Sequence, residues 1–105
     1  MRFPTRTNKA RSQRKHAKQR AFERLQLDLT QRDIDRLAEQ IRSGRADVAR
    51  LILKQSNTRT WWHVRIEEQW VAVVYDKARG QIVTFLTDAM VEQWKPKAGE
   101  WTDED

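Results

Sequence analysis

A chain of 105 residues with no cysteine and two histidines has room for one compact core, and it excludes a disulfide scaffold and cysteine-based zinc sites. The net charge of +6 is localised: residues 1–24 carry nine Lys or Arg against Glu23 alone, a local balance of +8, whereas residues 98–105 hold Glu100, Asp103, Glu104 and Asp105 without a base. No run approaches the roughly 18 apolar residues of a membrane span and no apolar stretch follows the basic start, so a cytoplasmic protein without membrane contact is expected.

Residues 1–8, with Pro4 and two threonines, read as a flexible basic arm. From about Lys9 the chain favours helix: Ala17, Ala21 and Leu25 recur at i, i+4, i+8 with Phe22 beside them, a narrow apolar stripe on a cationic helix. His16, Arg20 and Arg24 share that spacing on the neighbouring stripe and can point at one ligand. Thr30 with Asp33 forms an acidic capping box, and Leu29 with Ile34 a hydrophobic staple, so a second helix starts here. Ile34, Leu37, Ala38 and Ile41 give its buried face and Gly44 its stop.

Beyond Gly44 the period changes to two. Val48 to Lys54 is open between a helical turn and a strand; Thr60 to Ile66, Trp70 to Tyr75 and Gln81 to Leu86 read as three strands of an antiparallel meander. Trp62, Val64 and Ile66 alternate with Trp61, His63 and Arg65, which makes one face of that strand apolar and the other chemical. Asp88 to Trp94 suits a short helix. The expectation is a single α+β domain over residues 9–95, two N-terminal helices packed on a three- to four-stranded antiparallel sheet with a short C-terminal helix, followed by an acidic tail over 96–105. The second sheet face is expected to stay open and to hold a ligand.

A localised positive field raises encounter rates with polyanions and binds phosphates by counterion release, which makes RNA or DNA the leading partner; a solubilising arm, or a basic arm for acidic proteins, is the alternative. Lys15, Lys18 and Arg24 on the first helix are the phosphate-contact candidates. Trp61, beside His63 on the chemical face, is the preferred stacking candidate. Histidine is the residue type best suited to proton transfer at neutral pH, which makes His16 and His63 the candidates for it, or else they are ordinary exposed and half-buried polar residues. No glycine-rich phosphate loop, Ser-His-Asp order or metal-ligand spacing is present, so no cofactor or metal is expected.

The order of KHAKQRAFERLQLDLT, a second helix ending IRSG, and VRIEEQWVAVVYDKARGQIVTFL resembles the small RelE-like and colicin D-like toxins of the barnase–EndoU–colicin–RelE fold group, especially their short phage and mobile-element relatives, across residues 15–87. The resemblance implies a metal-independent ribonuclease that cleaves RNA through its own 2′-hydroxyl, leaves a 2′,3′-cyclic phosphate and impairs translation, in the host cytoplasm where phage-encoded. It implies an RNA substrate, such as tRNA, mRNA or ribosome-associated RNA, and an acidic antitoxin or immunity protein. By position it assigns His16 as the helix histidine, Thr84 as the strand hydroxyl, and Arg65, or Lys77 and Arg79, as the basic residues of the sheet. Arg20 or Arg24 would stabilise phosphorane charge and His63 would be a second acid–base group, sharing a cleft with His16. The alternative is a noncatalytic effector or binding module that uses the same basic, Trp-rich surface on a nucleic acid or host protein.

Overall fold

Thr30 marks the clearest boundary in the chain. Its hydroxyl accepts from the Asp33 backbone N–H (3.1 Å) while the Asp33 carboxylate accepts from the Thr30 N–H (2.9 Å), so two otherwise unpaired donors of the helix start are satisfied together. In the computed structural model, which describes residues 5–98, the helices are α1 (Thr5–Leu25), α2 (Gln31–Ser43) and α3 (Asp88–Ala98). The strands are β1 (Ala49–Lys54), β2 (Arg59–Ile66), β3 (Gln69–Asp76) and β4 (Gln81–Leu86). They pair as one four-stranded antiparallel sheet in the order β1-β2-β3-β4.

α1 begins at Thr5, ahead of the start expected near Lys9; residues 1–4, the rest of the expected arm, lie outside the described residues. Gln26 (φ 56°) ends α1 and Gly44 (φ 76°) ends α2, both in the left-handed region. The open choice over residues 48–54 falls to a strand. α3 is capped by the Thr87 hydroxyl, which accepts from the Met90 N–H (3.1 Å), and the helix runs through Pro96 to Ala98, beyond the end expected at Trp94. Most of the expected acidic tail, residues 99–105 with Trp101, lies outside the described residues.

Period-two alternation, shifted by an irregularity in the β3–β4 pairing at Val74/Tyr75, divides the sheet into two faces. On one, Val64, Val71, Val73, Tyr75, Ile82 and Phe85 pack against Ala17 and Ala21 of α1 and Ile34, Leu37, Ala38 and Ile41 of α2. Full burial of a Leu or Ile contributes about 1.5–3 kcal/mol, so this face anchors both helices. The alanines of α1 let its backbone lie close to β4, the edge strand that it covers. The second face is not open as expected: Met90, Val91 and Trp94 of α3 close over Trp61, Ala72, Val74 and Leu86 in a second apolar cluster. An uncovered apolar face of that width would have cost stability, and the apolar positions of the short last helix satisfy it. No described helix is long and apolar enough to cross a membrane.

Candidate nucleic-acid interface

The packing of α1 decides which of its residues meet solvent. Gln13, Ala17 and Ala21 are buried, which fixes the inner stripe at intervals of four. The opposite side of the helix then carries Lys15, Lys18 and Phe22, spaced i, i+3, i+7, and all three are exposed. Phe22 is 61% exposed, one of two large hydrophobics in that state among the described residues, the other being Leu51. The sequence places Phe22 beside the apolar stripe; the helix instead turns it outward, one turn beyond Lys18. The signal was its i+4 spacing from Lys18, half a turn away from Ala17.

The stripe of His16, Arg20 and Arg24 spirals from solvent into the protein. His16 is exposed. Arg20 is tied to Glu23 at 3.0 Å, a partly exposed pair of the kind that adds little stability. Arg24 turns inward: its Nη1 donates to the Thr84 hydroxyl (3.3 Å) and to the Phe85 carbonyl (3.0 Å) on β4. Burial, followed by the charge of Arg20, holds the Arg24 guanidinium below its ordinary pKa, with Glu23 opposing. Arg24 and Thr84 are therefore brought together, two residues singled out separately, but in a contact that fastens α1 to the sheet edge.

The remaining candidates are dispersed. His63 has the parity of Trp61 and stands on the α3 side of the sheet, in register with Arg50 on β1 and Ala72 on β3. α1 packs on the other side, so the sheet lies between His16 and His63 and the expected shared cleft does not form. Arg65 is exposed at the end of β2, where its Nε donates to the Glu67 carbonyl (2.9 Å). Near His63, the Arg50 guanidinium lies over the Trp70 ring, 4.5 Å from its centroid, a cation–π contact.

Trp61 is no stacking platform. It is 1% exposed in the second apolar cluster, and its Nε1 donates to the Gln55 side chain (2.9 Å). Strand parity places Trp61 on the face away from α1 and α2, and α3 covers that face. Trp62, expected in the core, is half-buried on the α1–α2 side.

Arg79 belongs to a buried network. The Asp76 side chain, 1% exposed, accepts from Arg79 Nη1 (2.8 Å), Gln13 Nε2 (3.2 Å) and the backbone N–H groups of Ala78 (2.9 Å) and Arg79 (3.2 Å). Arg59 stands 3.9 Å away, and the Gln81 amide donates to Gln13 Oε1 at 2.7 Å. Burial opposes the charge of Asp76, but the bonds from Arg79 and Gln13 and the charge of Arg59 outweigh it and hold the carboxyl below its usual range. Arg79 is consequently an internal partner, whereas Lys77, two residues earlier, is exposed. α1 thus carries exposed cations beside an exposed aromatic ring; the five residues His16, Arg20, His63, Arg65 and Thr84 do not converge on one reacting atom. No family model, curated protein or solved structure matches the chain.

Proposed function

We propose that the protein binds RNA through the outer side of α1, as a noncatalytic module or effector. The observation that carries this reading is the exposed stripe of Lys15, Lys18 and Phe22: two cations for the phosphates and, one helical turn beyond Lys18, an aromatic face on which an unstacked base can rest. Neither lysine has an ion pair among the described residues, whereas Arg14 and Arg20 are held by Asp35 and Glu23. Phosphate contacts of this type are sequence-independent and salt-sensitive. The test is fluorescence anisotropy of a labelled single-stranded RNA with wild type, Lys15→Ala/Lys18→Ala and Phe22→Ala. Both variants are expected to weaken binding, Phe22→Ala by about fivefold or more given about 1–3 kcal/mol per stacked base. Unchanged affinity in both would defeat the reading.

A second reading, the toxin-type ribonuclease, is favoured by the helix–helix–meander order together with the exposed His16. On this reading His16 exchanges the proton of the 2′-hydroxyl or of the leaving oxygen, nearby cations stabilise the phosphorane, and an acidic antitoxin or immunity protein would cover α1. It predicts RNA cleavage in EDTA with cyclic phosphate ends, abolished in His16→Ala with the fold retained. An intact RNA pool after incubation with wild type leaves binding alone.

A further inference from the structure

A second basic and aromatic feature lies away from α1. A cavity of about 470 Å³ opens between the C-terminal end of α2 and the β1 side of the sheet. Two register rows of the helix-side face make its floor: Leu51 pairs with Trp62, and Lys54 pairs with Thr60, which pairs with Tyr75. The Thr60 hydroxyl accepts from Trp62 Nε1 (2.8 Å), which fixes the indole ring. From above, Arg42 Nη1 donates to the Tyr75 hydroxyl (3.3 Å) and the Gly80 carbonyl (2.7 Å). Lys54, Lys77 and Arg42 thus ring an indole, a phenol and the exposed Leu51, and no carboxylate lines the cavity.

Such a lining selects its occupant by charge and by shape. Three cations without a counter-charge favour an anion of more than one charge, and an aromatic floor braced by hydrogen bonds favours a flat ring over a flexible chain. The volume is of the size that holds small organic ligands. We infer that this cavity binds a nucleoside monophosphate unit, with the base against Trp62 and Leu51 and the phosphate at Lys54, Lys77 and Arg42. The unit can be a free mononucleotide or one nucleotide of a single strand. In the second case the inference rests on the RNA reading above, and the cavity would add a base-holding pocket to the sequence-independent contacts of α1.

The tryptophan indole N–H resonances of the whole protein provide the test, with that of Trp62 assigned through Trp62→Phe. Adenosine 5′-monophosphate, adenosine and a short single-stranded oligoadenylate are titrated into wild type and Lys54→Ala/Lys77→Ala, both substituted residues being exposed. The expected result is a shift of the Trp62 resonance with the monophosphate, affinity about fivefold or more weaker for adenosine, and a comparable loss in the double variant, as for a charge-assisted contact. A shift with the oligonucleotide alone supports the inference and identifies the strand as the source; a shift with both shows that the free nucleotide suffices. A Trp62 resonance unmoved by either phosphate-bearing ligand, or equal affinities in wild type and variant, would overturn it. The α1 reading is separated by Phe22→Ala in the anisotropy experiment. Phe22-dependent RNA binding with a silent Trp62 removes only the cavity, and a Trp62 response to the mononucleotide without RNA binding removes only the α1 reading.

Discussion

Asp76 links three parts of the molecule through one carboxylate: Gln13 on α1, Arg59 on β2 and Arg79 in the β3–β4 turn. Replacing it with Asn keeps the size and removes the charge that Arg79 faces, and we expect a loss of about 1–3 kcal/mol at neutral pH, measured by urea denaturation. Its pKa lies below the unfolded value of about 3.9. The stabilisation is therefore complete above that value and is lost as the pH falls through the folded pKa. The stability difference between wild type and Asp76→Asn should shrink as the pH is lowered below about 4, and a difference that grew there would contradict the assignment. Phe22→Ala is the opposite case. A ring 61% exposed contributes little to the core, so its removal should leave the melting temperature nearly unchanged while weakening RNA binding.

At the scale of elements, the capped second helix is the part most legible in the sequence. Thr30, Asp33, the staple residues and Gly44 each act locally, and local signals survive folding unchanged. Thr30→Ala should destabilise the protein by about 1 kcal/mol in thermal or denaturant melts. The β2–β3 turn carries strain: Glu67 adopts φ 55° in a two-residue connection between Ile66 and Gln69. Glu67→Asn, which tolerates that conformation better, should raise stability by about 0.5–1 kcal/mol. A lowered melting temperature would show that the Glu67 side chain contributes more than its backbone costs.

Strand parity was equally legible, since the alternation of residues 61–66 separates the two clusters as read. What covers each face was not. From strand parity alone Trp61 reads as an accessible ring, because its cover is α3, whose apolar residues Met90, Val91 and Trp94 reach the sheet only in three dimensions. For the same reason the sequence grouped His16 with His63, although no local pattern records that α1 and His63 occupy opposite sides of a sheet. The exposure of Phe22 follows from the rotation of α1, which Gln13 helps to set through its contact with Asp76, 63 residues away.

On the scale of the whole molecule, part of the positive charge of the N-terminal segment is set on one exposed side of a helix. α1 lies along the edge strand β4 and presents Lys15 and Lys18 outward, while Arg24 fastens it to that edge. Charge density of this kind acts on a polyanion through counterion release, so the affinity of the intact chain for RNA should depend steeply on salt. The measurement that tests this account most directly is the affinity for a single-stranded RNA across a salt series, for wild type and Lys15→Ala/Lys18→Ala. The account predicts a linear fall of log K with log salt, shallower in the variant by about 1.4, since each phosphate contact in a single strand contributes about 0.7 to the slope. Parallel lines for the two proteins, or no binding by wild type at low salt, would contradict it.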